Sequence, residues 1–166
     1  MYIDHGITVH LNHLPKCGSI IFFPSKEMRD QCQLQWASLA MNVRFKGVIF
    51  NSKRKNDVHD FIVTVTRKKR RSLLMAVYRD TAAEGVDFPP ECTRMIFLSG
   101  VPNPNIKNNW VAAKKNYEEQ SGNGSWYNKQ AAMAVQQVRN FVCVAVGSAR
   151  RVNDLHIVGN RTMRSE

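Results

Sequence analysis

Short apolar runs alternate along this chain with helix-length amphipathic segments, the pattern of a parallel sheet covered by helices. Ile20-Ile21-Phe22-Phe23 reads as a fully apolar strand that stops at Pro24. Ser25 is placed to cap a helix over residues 26–40, where Met28, Cys32, Trp36, Leu39 and Ala40 form one apolar stripe. Val48-Ile49-Phe50 is the next strand. Asp57–Thr66 is ambiguous, because its position calls for a crossover helix while Ile62 to Thr66 favour a strand. Leu73–Val77 and Met95–Leu98 read as buried strands, the second closed by Gly100 and the Pro102/Pro104 turn. Asn108–Gln120 and Trp126–Gln137 read as helices flanking the Gly-rich loop Ser121–Ser125, and Leu155–Val158 as a last strand. Trp36 and Phe61 are simplest as core. The fold class is therefore α/β, a parallel sheet covered by helices, and the chain is one such unit or part of one.

Composition narrows the partners. The chain has 166 residues, with 24 Lys+Arg against 13 Asp+Glu, a net charge of +11. Such a balance points to polyanions, nucleic acid first and an anionic membrane face second. No apolar run approaches the ~20 residues that cross a bilayer, and the polar N-terminus (Asp4, His5, Asn12) is unlike a signal peptide. The four cysteines, Cys17, Cys32, Cys92 and Cys143, form no C-x-x-C pair, which argues for core thiols in a reducing compartment. His10 and His13 have H-x-x-H spacing but lack two further ligands, so no metal site is expected. No G-x-S-x-G elbow supports a hydrolase.

Two basic runs stand out, Lys53-Arg54-Lys55 and Arg67-Lys68-Lys69-Arg70-Arg71. Each is read either as phosphate contact, with a nuclear address as a further option for the longer run, or as a solvated loop. Lys114 and Lys115 read as a solvated helix face. Trp126 and Tyr127 have aromatic surfaces suited to stacking a base, but at a helix start they are expected to pack inward.

The chemistry concentrates after the third strand, in Glu84-Gly85-Val86-Asp87. At the carboxyl end of a parallel strand this turn faces the ligand crevice of an α/β sheet. Gly85 permits close backbone approach to a phosphate or sugar, and Asp87 accepts from a hydroxyl or an arginine. Taken alone, the pattern is weak and reads better as an ordinary turn.

Its company changes the reading. Phe22-Phe23-Pro24-Ser25 is followed in order by Ala76-Val77-x-Arg79-x-x-x-x-Glu84-Gly85-Val86-Asp87-Phe88. Then come Gly100-Val-Pro-x-Pro-Asn105 and Trp126-Tyr127-x-x-Gln130-Ala131-Ala132-x-Ala134-Val135-x-Gln137. Over residues 14–161 this series resembles the second, RecA-like motor domain of the XPD/FANCJ-type superfamily-two DNA helicases. The Pro-Asn-Pro-Asn-Ile-Lys segment and the later Lys-Lys-x-Tyr resemble the FANCJ/RTEL group.

The resemblance implies a single RecA-like domain over 1–166, a parallel sheet with helices on both faces, that closes on a first motor domain around ATP and tracks single-stranded DNA 5′ to 3′ in the nucleus, in DNA repair. It implies DNA contact at Ser25 and Arg79, nucleotide contact at Glu84, Gly85, Asp87, Gln137 and Gly147, and a catalytic Arg151. An arginine at such a γ-phosphate is worth ~10³–10⁵ in rate. Gly147 and Arg151 match the family's last motif only across a seven-residue insertion after Gln137, and Ser148 then stands where the first arginine belongs. The family's Arg-Gly-Lys is here Arg79-Asp80-Thr81, which sets a carboxylate where a polyanion approaches.

Neither G-x-x-x-x-G-K-[ST] nor Asp-Glu-x-His occurs, so the phosphate-cradling loop and Mg²⁺ ligand of a first motor domain are not in this sequence, nor are the family's iron–sulfur ligands. ATP and Mg²⁺ are expected only together with a first motor domain, and the chain alone is not expected to hydrolyse ATP. The alternative expectation is a degenerate, non-enzymatic helicase-like domain that binds nucleic acid or a protein partner.

Overall fold

A computed structural model describes residues 17–38, 45, 47–80, 86–122, 126–146 and 155–158, with Lys55, the last eight residues of 126–146 and the whole of 155–158 as backbone only. Its elements run β1 (Gly18–Phe23), α1 (Lys26–Ser38), β2 (Val48–Asn51), α2 (Lys55–Thr66), β3 (Ser72–Val77), a 3-10 turn (Pro90–Cys92), β4 (Met95–Ser99), α3 (Asn109–Gln120), α4 (Trp126–Val146) and β5 (Leu155–Val158). Five strands form one sheet in the order β2-β3-β1-β4-β5. Every pairing is parallel. The α/β reading from sequence holds.

β1 is the middle of the sheet, bonded to β3 on one side and β4 on the other. All six of its residues are buried, as are the six of β3 and five of β4. Alternate side chains feed two cores. Ile20, Phe22, Leu74, Ala76, Ile96 and Leu98 pack with Val58, Phe61 and Val65 of α2, with Phe88 and Cys92, and with Val138 of α4. Ile21, Phe23, Leu73, Met75 and Phe97 pack with Cys32 and Trp36 of α1 and with Phe45. Helices therefore cover both faces, α1 on one and α2 and α4 on the other. Each large side chain taken out of water here contributes ~1.5–3 kcal/mol.

The ambiguous segment is a helix. Val58, Phe61 and Val65 are its buried stripe, at helical spacing. The Asp57 carboxylate accepts from the Lys53 and Arg54 N–H groups (3.2 and 2.9 Å), which starts the helix. Thr66 donates its hydroxyl back to the Ile62 carbonyl at 2.7 Å. Burial of one face and a capped start outweigh the β-branched preference, which spans only ~1 kcal/mol. The stripe expected on α1 is corrected in one position: Met28 is 38% exposed, and Arg29 is buried at 3%. Leu39 and Ala40 lie outside the described residues. α4 runs nine residues beyond the predicted end at Gln137, to Val146.

Trp36 and Phe61 are core, as expected. Cys32 and Cys92 are buried free thiols and Cys17 is half-buried. Burial, with the nearby Glu91 carboxylate second, pushes the Cys92 thiol up to about 12, so it stays protonated at neutral pH. Among the described residues no helix is long and apolar enough to cross a membrane. Nor does any group of three or more His, Cys, Asp or Glu among them come together to hold a metal. His10 and His13 lie outside the described residues.

Gly18 fixes where the 3-10 turn sits. A Cβ there would stand 2.6 Å from Cys92 Cα and 2.7 Å from its carbonyl oxygen, both backbone atoms. Gly18→Ala must therefore separate the start of the central strand from the turn that leads into β4. We expect a loss on the order of 1–3 kcal/mol, read as a lowered urea midpoint with the slope unchanged.

A cationic pocket at the carboxyl edge of the sheet

Parallel pairing brings the carboxyl ends of β1, β2 and β3 to one edge. From β1 the chain turns into α1, on one face. From β3 it leaves through Tyr78 and Phe88, on the other. Adjacent strands whose connections diverge in this way open a crevice between them, the usual ligand position of an α/β sheet. A pocket of ≈ 350 Å³ occupies it, lined by Lys26, Arg29, Ser52, Lys53, Arg54, Val58, Asp80 and Val86.

Four of these are cations, and each is placed by the backbone below it. Ser25 caps α1: its Oγ accepts from Met28 N–H at 3.2 Å, and its carbonyl from Arg29 N–H at 3.2 Å. The cap aims Lys26 and Arg29 at the crevice. Arg29 is buried, its Nε donating to Asp30 Oδ1 at 3.0 Å and its Nη1 to the Ser52 carbonyl at 3.5 Å. The Ser52 N–H donates to the Met75 carbonyl (3.1 Å), prolonging the β2–β3 ladder into the turn that carries Lys53 and Arg54. Sequence reading left Lys53 and Arg54 open between phosphate contact and solvated loop, and missed Lys26 and Arg29. Their i, i+3 spacing behind a Ser cap was the available signal.

Two carboxylates temper the charge. Asp30 pairs with Lys53 (3.1 Å) as well as Arg29, and the Arg29 hydrogen bond, with Lys53 adding to it, holds its carboxyl below the usual range. Asp80 pairs with Lys26 at 3.7 Å. The Ser52 hydroxyl and the Asn51 side-chain carbonyl are buried at this edge without a hydrogen-bond partner among the described residues.

The residues expected to act divide into four groups. Ser25 stands at the mouth of α1 as a helix cap: its oxygen accepts from the Met28 N–H, and its hydroxyl donates to the Glu27 carboxylate, which the Glu27 backbone N–H and then Ser25 hold below the usual range. Arg79 turns the other way: its φ is +60°, in the left-handed region, and its Nη2 donates to the Gln130 carbonyl of α4 at 2.6 Å. That contact ties the turn after β3 to the helix carrying Gln137. Asp87 and Gln137 are both exposed on the surface, Asp87 beside the buried Phe88 and Gln137 beside the buried Val138. Glu84, Gly85, Gly147 and Arg151 lie outside the described residues.

The aromatic and helical-lysine readings are also answered. Tyr127 packs inward, donating its hydroxyl to the Pro104 carbonyl at 2.8 Å. Trp126 is half-buried edge-on to Trp110, centroids 5.8 Å apart. Lys114 and Lys115 pair with Glu118 and Glu119 at 2.7 and 2.6 Å, one turn along α3.

A family model described as the helicase C-terminal domain matches residues 8–139. This chain belongs to that family. It is similar to the Regulator of telomere elongation helicase 1 homolog of Drosophila ananassae, 30% identical over 145 residues, which cover 78% of this chain and 14% of that protein. The homolog of the same name from Drosophila grimshawi is 32% identical over 136 residues, 72% of this chain and 14% of that protein. The chain thus spans about one seventh of the length of these curated relatives. The solved structure of S. tokodaii Xpd4 covers 91% of this chain and 27% of that one at 16% identity, with a TM-score of 0.49. The family match and these homologs bear out the resemblance to the XPD/FANCJ/RTEL helicases read from the motif series.

In this helicase C-terminal domain Asp80, which the motif resemblance sets at the family's glycine, sits against Lys26. Their side chains are 23% and 66% exposed, so the pair itself is worth at most ~1 kcal/mol. Asp80→Asn should release Lys26 and raise affinity for inorganic sulfate or phosphate a few-fold. The readout is the anion dependence of thermal unfolding, with a change in midpoint at zero added anion separating stability from binding.

Proposed function

We propose that this chain is the second motor domain of an ATP-dependent 5′-to-3′ DNA helicase. It binds single-stranded DNA and completes an ATP site with a first motor domain, supplied by the same protein or in trans. The observation that carries this reading is the cationic pocket at the divergence of β1 and β3, in a chain of the helicase C-terminal family. Lys26, Arg29, Lys53 and Arg54 converge there, as cations must to neutralise consecutive phosphates.

On this reading Ser25 and Arg79 face DNA, and Glu84, Gly85, Asp87, Gln137 and Gly147 face the nucleotide. Arg151 reaches the γ-phosphate and stabilises charge as it transfers. ATP and Mg²⁺ are held mainly by the first domain, and the working place is the nucleus, in DNA repair.

One observation favours the second reading, a domain that binds nucleic acid or a protein partner without turnover. Two positions that match the family's Arg-Gly are here engaged within the domain, Arg79 on the Gln130 carbonyl and Asp80 on Lys26.

Measuring ATP hydrolysis on single-stranded DNA, by the chain alone and joined to a first motor domain, separates the two. The helicase reading expects no turnover alone, turnover on joining, and a loss of ~10³-fold or more in Arg151→Ala. No turnover in either form, with salt-sensitive DNA binding retained, supports the second reading. Hydrolysis by the isolated chain overturns both.

A further inference from the structure

The run Arg67-Lys68-Lys69-Arg70-Arg71 is not part of the pocket. It joins the end of α2 to the start of β3, so it lies at the amino edge of the parallel sheet, whereas the pocket is lined by residues beyond the carboxyl ends. Six residues of β3 separate the two edges, roughly 20 Å of strand. At ~0.1 M salt the Debye length is about 10 Å, so the two patches act as independent charges.

The run is built, not loose. Arg67 and Lys68 N–H both donate to the Val63 carbonyl (2.9 and 3.3 Å), and Arg70 N–H to the Thr64 carbonyl (3.3 Å). Lys69 between them takes the left-handed conformation, φ +49°, which folds the chain back over the helix end. Arg71 is half-buried and donates from Nη1 to the Phe45 carbonyl at 3.3 Å. Arg67, Lys68, Lys69 and Arg70 are exposed. Among the described residues no carboxylate pairs with any of the five, in contrast to Lys26, Arg29 and Lys53 across the sheet. Arg94, exposed before β4, adds a charge to the same edge.

We infer that this amino edge is a second polyanion-binding surface, taking the phosphate backbone of a nucleic-acid segment other than the one in the pocket. Clustered cations without internal counter-ions, on a fixed turn, form a ready phosphate surface. The fixed turn also decides against a nuclear address read in place: a peptide groove takes its ligand extended, with backbone groups free, and these are committed to the helix end. The inference concerns a different surface from the proposed DNA-binding pocket and stands or falls separately from it.

The test titrates the full chain with two oligonucleotides at several salt concentrations: a short one that covers a single edge, and a long one that spans both. Three proteins are compared. They are the wild type, a run variant (Arg67→Gln, Lys68→Gln, Lys69→Asn, Arg70→Gln) and a pocket variant (Lys53→Gln, Arg54→Gln). Asn at 69 keeps the left-handed turn, and circular dichroism with thermal unfolding checks that each variant folds. Wild type should take two short oligonucleotides and each variant one. For the long oligonucleotide, the run variant should lose about three units from the slope of log affinity against log salt, at ~0.7 per contact. The two sets of losses should add.

A folded run variant that keeps wild-type slope, affinity and stoichiometry overturns the inference and leaves the pocket reading intact. If the pocket variant loses nothing and the run variant loses all binding, the pocket reading fails and the amino-edge surface stands. No salt-sensitive binding by wild type overturns both.

Discussion

The structure depends on one constraint: β1 must pair in parallel with two neighbours at once. A strand in that position has no edge and no solvent face, so it admits only apolar or small residues, and Gly18 to Phe23 supply them. Because both pairings are parallel, the chain leaves β1, β2 and β3 at the same edge. Because α1 and the β3–β4 connection depart to opposite faces, that edge opens. The pocket is a consequence of strand polarity before it is a consequence of any side chain. Lys26, Arg29, Lys53 and Arg54 then need only follow their strands closely to converge.

Charge distribution follows from the same polarity. One edge collects the segments that follow strands and the other those that precede them. Here the first carries cations already moderated by Asp30 and Asp80, and the second carries cations with no acidic partner among the described residues. The moderated edge is suited to a ligand that comes and goes, since its cations are not left bare when empty. Arg29 shows the cost of such placement. A guanidinium buried to 3% exposure persists there because Asp30 and the Ser52 carbonyl hold it.

The strands were legible in the sequence because a doubly covered parallel strand must be apolar throughout, and runs such as Ile20–Phe23 and Leu73–Val77 have few other readings. Helix α2 was not. Its composition favours a strand, and what decides it is the Asp57 cap and a buried stripe of Val58, Phe61 and Val65, neither visible until the sheet beneath is known. Arg29 was invisible for a related reason: a charged residue on a helix is assigned to solvent by pattern alone. The motif series pointed to the correct family, because those residues stand in a fixed order along the chain. It did not foretell that Arg79 would take a left-handed backbone and bind α4, which is a property of one turn's geometry.

Helix α4 has 21 residues, about 31 Å, while the strands it covers reach roughly 20 Å. On the proposed reading, the last motif with Gly147 and Arg151 is reached only across seven residues added after Gln137. Seven residues are nearly two whole turns, a rotation of only ~20° away from register. On that reading the added heptad works like a link in a rod, lengthening the helix by about 10 Å while leaving the bearing of its end nearly unchanged.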